Sequence, residues 1–176
     1  EWGRVRVIQD AAAKGRSLRF DEVVAMAPTA HLENEPYAWC WAAATLLDRH
    51  PRYKERFRKL PQFVTKPDFN ERFRRLFRGD WNELCEEWQL MTSDMEYGYD
   101  VARSAVDFTP GKTAPTRCGA KEVMVAADRG WQNTGLRLEK GDRYRLMERQ
   151  VPAMTTKAYP GWGRWKRSPA RSPMPG

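Results

Sequence analysis

The sequence predicts an α+β fold: a helical subdomain of about five or six helices, then a small partial antiparallel β-module. Three observations predict it. Apolar residues recur at helical spacing through the first two-thirds of the chain. Pro28, Pro36, Pro51 and Gly79 punctuate that pattern. Beyond Tyr97 it gives way to short apolar runs separated by glycine-bearing turns. The helical part spans residues 1–96, the β-module 97–150, and a basic Pro/Gly/Arg tail 151–176.

Val5, Ile8 and Ala12 give the first helix one apolar face, and Gly15 closes it. A short helix follows over 21–26, with Asp21 as N-cap and Pro28 as stop. An exposed linker, 29–35, leads to Pro36, which is pre-set for a first helical turn. The helix it opens is apolar on every face until Asp48. Tyr37, Trp41, Ala44 and Leu47 form one stripe, and Ala38, Ala42, Ala43 and Leu46 fill the others. Such a helix belongs in a core. After Pro51, Tyr53, Phe57 and Leu60 form the inner stripe of a basic helix. Phe69, Phe73, Leu76 and Phe77 do the same over 68–78. Asp80 and Glu83 have the spacing of a capping box ahead of Trp81, Leu84, Trp88 and Met91. Strands are expected in YDVARSAVDF, KEVMVAA, NTGLRLE and RYRLMER. The tail AYPGWGRWKRSPARSPMPG has no period and reads as flexible.

The chain has 176 residues and a formal charge of +8, with eight Trp, seven Phe and six Tyr. That much aromatic surface supports a packed core and argues against global disorder. The charge admits acidic partners: nucleic acid, an anionic surface or an acidic polypeptide. Cys40, Cys85 and Cys118 are odd in number and widely spaced, so no disulfide framework is indicated; Cys40 and Cys85 read as buried thiols. No stretch is long and apolar enough to cross a bilayer, and nothing reads as a signal peptide.

The chemistry-bearing motifs are sparse. The two histidines, His31 and His50, are far apart, and no H-E-x-x-H is present, so no metal site is assigned. His50, ahead of Pro51, reads as a capping residue, and His31 as solvated. Glu86 and Glu87 are placed on a polar helix face. No phosphate-binding loop, nucleophile elbow or dinucleotide fingerprint occurs.

EPYAWCWAAATLLDRHPRYKERFRKL, with GRSLRFDEVVAM before it, resembles a region of gluzincin-type zinc peptidases, the peptidase-MA-like proteins among them. There a helix opening with Tyr follows the zinc helix and the helix bearing the glutamate ligand. The resemblance covers about residues 4–91. It implies a non-catalytic C-terminal portion of a peptidase-MA-like protein whose intact form is a zinc-dependent peptide hydrolase. Zinc, the missing N-terminal catalytic segment and a polypeptide substrate would belong to that parent. Tyr37 falls where the family places a phenol that steadies the oxyanion. A neutral phenol can donate to developing negative charge. The alternative is that Tyr37 is simply the first aromatic of a core helix.

Two further readings stand beside this one. DRGWQNTGLRLEKGD resembles the W-x-x-T-G turn of small galactose-binding-like modules, in which Trp131, Gln132, Asn133 and Thr134 would meet a sugar. A tight turn with a packed indole accounts for the same residues. The basic groups Arg49, Arg52, Lys54, Arg56, Arg58, Lys59 and Arg72, Arg74, Arg75, Arg78 lie among aromatics, a combination used by nucleic-acid-binding proteins. If those aromatics are core, the same cations form solvated outer faces.

Overall fold

A computed structural model describes residues 2–115, 120–126 and 129–147. The chain clusters into two units, Glu1–Asp142 and Arg143–Gly176. Cys118 and the tail expected over 151–176 lie outside the described residues. In the second unit, residues 143–147 carry neither helix nor strand.

The first unit is mostly helical, with a two-stranded sheet, and the α+β class holds. Helix α1 (Trp2–Ala13) buries Val5, Ile8 and Ala11. It closes as foreseen at Gly15, whose φ of 68° lets Arg16 N–H reach the Ala11 carbonyl and Gly15 N–H the Ala12 carbonyl. Helix α2 (Phe20–Val24) starts one residue earlier than expected, behind Arg19, whose N–H donates to the Glu22 carboxylate at 2.7 Å. The expected linker contains a 3-10 turn, Pro28–Leu32.

Helix α3 (Asn34–Arg49) is the hub, packing on α1 and α2 and on two later helices, α4 (Lys54–Phe57) and α6 (Trp81–Ser93). Pro36 sits in its first turn, where no N–H is needed. The helix is not buried all round. Ala38, Trp39, Ala42, Ala43, Leu46 and Leu47 are inside, whereas Tyr37 and Ala44 face out and Trp41 is half-buried. Small alanines allow close approach on the inner side, and Tyr37 and Ala44 stay exposed.

Helix α5 (Phe69–Phe77) buries Phe73 and Phe77. Phe20, Phe73, Trp81, Trp88 and Trp39 form a continuous run of edge-on and tilted rings, with neighbouring centroids 5.5–6.3 Å apart. The capping box foreseen at Asp80 and Glu83 does not form. Asp80 pairs with Arg56 and Glu83 with Arg52, so both acids fasten the start of α6 to α4. Much of the basic group after Pro51 is thereby neutralised within the fold.

The sheet departs from the expected antiparallel module. Strands β1 (Lys112–Thr113) and β2 (Leu136–Arg137) pair in parallel, Lys112 opposite Leu136 and Thr113 opposite Arg137. β1 falls in the stretch read as a loop, and only NTGLRLE supplies an expected strand. The described parts of YDVARSAVDF, KEVMVAA and RYRLMER form none. Met124, Val125, Leu146 and Met147 are exposed, so their apolar alternation has no covering face to act on. Gly111 explains the close pairing: a Cβ there would meet the Leu136 carbonyl carbon at 2.6 Å.

Two buried indoles make opposite demands. Trp88 Nε1–H donates to the Leu18 carbonyl at 2.7 Å, whereas Trp39 Nε1–H is buried with no partner among the described residues. Phenylalanine at either position loses similar volume, but only Trp88→Phe orphans an acceptor. Trp88→Phe is expected to destabilise the protein by about 1–3 kcal/mol more than Trp39→Phe, read from urea unfolding. Equal losses would contradict this account.

Candidate functional site

An enclosed polar cluster is built on Glu87, a residue assigned from sequence to a polar helix face. It is 4% exposed. Its position explains why: Glu87 lies three residues after Leu84 and four before Met91, on the inward stripe of α6. Burial alone would push its carboxyl up. His50 Nε2–H at 2.8 Å, Tyr53 O–H at 2.6 Å and Val106 N–H at 2.9 Å outweigh burial and hold it below the usual carboxylate range.

His50 ends α3, as its place before Pro51 led one to expect. Its N–H donates to Leu46, and its carbonyl accepts from Tyr53 and Lys54. Its ring is buried, not merely a cap. Nδ1 accepts the Arg52 N–H at 3.2 Å, so the hydrogen-bond pattern assigns the neutral tautomer with the proton on Nε2. The ring stacks on Tyr53 at 4.3 Å. Burial, then the Glu87 carboxylate, raise the Tyr53 phenol well above its ordinary value. A cavity of about 10 Å³ beside the cluster, lined in part by Tyr99, Val101 and Ser104, has room for about one water. The arrangement holds three chain segments together.

His50 uses both ring nitrogens, whereas His31, whose Nδ1 lies 2.8 Å from the Pro28 carbonyl oxygen, stands on an exposed turn. Among the described residues no three His, Cys, Asp or Glu side chains gather as a metal site. These residues do not fit zinc, and no chemical step is derived through it. Among the described residues no helix is long and apolar enough to cross a membrane. Cys40 and Cys85 are free thiols, half-buried, and burial raises both.

Tyr37 is 41% exposed on the outer side of α3. Its hydroxyl oxygen accepts from Arg4 at 3.2 Å, and the Arg4 guanidinium lies 4.9 Å from its ring centroid and 5.6 Å from that of Trp41. The phenol is therefore positioned, and among the described residues no acceptor takes its own hydrogen.

The Trp131 group lies elsewhere, in the turn before β2. Trp131 is 63% exposed. Gln132 is spent on the Ala126 backbone at 2.8 and 2.9 Å. Asn133 Nδ2 donates to the Asp107 and Thr109 carbonyls while its Oδ1 accepts the Gly135 N–H, and Thr134 Oγ1 accepts the Leu136 N–H. These polar groups fold the turn, and only the indole is left open.

No family model matches the chain, and no curated protein or solved structure matches it.

Replacing Glu87 by Leu orphans two buried donors and the half-buried Val106 N–H, so Glu87→Leu is expected to cost on the order of 3 kcal/mol at neutral pH. The folded carboxyl is held low. Its contribution is full above the ordinary carboxylate range and is lost as pH falls through the lowered value. The stability gap between wild type and Glu87→Leu should therefore narrow below about pH 4. Denaturant titrations across pH check both statements, and a gap constant down to strong acid would refute the second.

Proposed function

We propose that this chain is a non-catalytic C-terminal portion of a peptidase-MA-like, gluzincin-type protein whose intact form hydrolyses peptide bonds with zinc-activated water. The chain supplies a helical wall beside the cleft and offers Tyr37 to the oxyanion. One observation carries the reading: the helix with the family-like pattern is the packing hub, yet the phenol at its start stands at the surface with an unspent hydrogen. A residue serving only as core would be inside. Arg4, a donor with no acceptor, gives a hydrogen bond to the phenol oxygen and lies over the ring, so it orients the phenol without consuming its donor.

The partner in this reading is the catalytic segment upstream, and the substrate is a polypeptide. The coding sequence ahead of residue 1 is expected to contain H-E-x-x-H followed by a glutamate-bearing helix, whereas the chain alone is expected to bind no stoichiometric zinc. A start codon there without that motif, or one tight zinc per chain by elemental analysis, would sink the reading. In the longer protein, Tyr37→Phe is expected to lower kcat by about 10²–10³ with KM little changed, the loss typical of one oxyanion donor. Unchanged kcat would remove Tyr37 from the chemistry.

A further inference from the structure

Arg74 and Arg75 on α5, Arg78 in the following 3-10 turn, and Trp81 at the start of α6 line one open concavity of about 390 Å³. Its lining contains no acid. The acid nearest in sequence, Asp80, is committed to Arg56, and Asp68 is committed to Arg72. Among the described residues none of the three lining arginines has an ion-pair partner within reach. Glu71 lies one helical turn before Arg74 and Arg75, and the Arg75 charge helps lower Asp68, but among the described residues neither carboxylate closes an ion pair with the three lining arginines, which stay exposed beside one another.

Arg74 places its guanidinium 5.1 Å from the Trp81 ring centroid. The same indole meets Phe20 and Phe73 in edge-on contacts, with centroids 5.7 and 6.3 Å away, which anchor it to the core. An exposed guanidinium stacked on a fixed indole is a flat, cationic platform. Arg75 and Arg78, both exposed, flank it. Guanidinium forks suit phosphate oxygens, and flat cationic platforms suit unpaired bases. An acidic polypeptide would satisfy the charges but leave the platform unused.

We propose that this concavity binds single-stranded nucleic acid, with phosphates on Arg75 and Arg78 and a base on the Arg74–Trp81 stack. The site draws nothing from the peptidase-like reading and stands or falls apart from it.

The test is fluorescence anisotropy of a labelled oligouridylate of about twelve nucleotides, a length within the usual site sizes, titrated across salt. Wild type should bind at low salt with a linear log–log dependence. Arg74→Gln/Arg75→Gln/Arg78→Gln should weaken binding at least about tenfold and reduce the salt slope by about two, while Arg164→Gln/Arg167→Gln/Arg171→Gln in the tail should keep most of both. Circular dichroism and a thermal melt verify folding. Should the triple variant fail to fold, Arg75→Gln alone decides the matter, with an expected slope change of about 0.7. No binding at low salt, loss confined to the tail variant, or equally tight poly-glutamate binding with the same arginine dependence would overturn the proposal.

Discussion

A carboxylate with almost no access to water must find its hydrogen bonds inside the protein, and Glu87 sets that demand at the centre of this fold. Its donors come from the end of α3, the residue before α4 and the segment after α6. The three segments can satisfy it together only if α3 turns sharply at His50 and if the chain beyond α6 folds back along the helices. Gln9 makes a second such tie, donating to the Met95 carbonyl at 2.9 Å. Burial of Val101 adds an apolar one. The helices and the following segment therefore share one compact unit despite their different sequence character.

The helical half was readable because period and punctuation agreed there. Gly15 closes α1, Pro36 lies in the opening turn of α3, and Phe73 and Phe77 face inward on α5. Glu87 was legible in principle, since it shares the stripe of Leu84 and Met91. It was overlooked because a carboxylate is usually taken as a surface residue, and its donors lie far away in sequence. The failed capping box has a related cause. Asp80 and Glu83 have the right local spacing, but tertiary arginines compete for them, and spacing says nothing of Arg52 or Arg56. The sheet was least legible. Two-residue strands leave almost no period, and parallel pairing depends on a close approach at Gly111 that no local pattern announces.

Charge in this protein is sorted rather than spread. Around α4 the arginines are matched by Asp48, Asp80 and Glu83, so that face of the chain is held by its own ion pairs. Around the α5–α6 junction the arginines are left over. At the start of α3 a single arginine is laid on aromatic rings and turned to a phenol. One residue type thus does three jobs, and which job falls to it depends on whether a neighbouring element brings an acid within ion-pair reach: Arg56 has Asp80, whereas Arg4 and Arg74 have rings alone. Net charge alone could not distinguish these cases.

The indole of Trp39, without an acceptor among the described residues, has a consequence for how the interior is held. Trp39 is fully enclosed and meets Trp88 ring to ring, so packing alone seats it on the hub helix. Trp88 is seated twice over, by the same packing and by the Leu18 carbonyl. Directional tethering of this ring pair thus enters from α6 and not from α3.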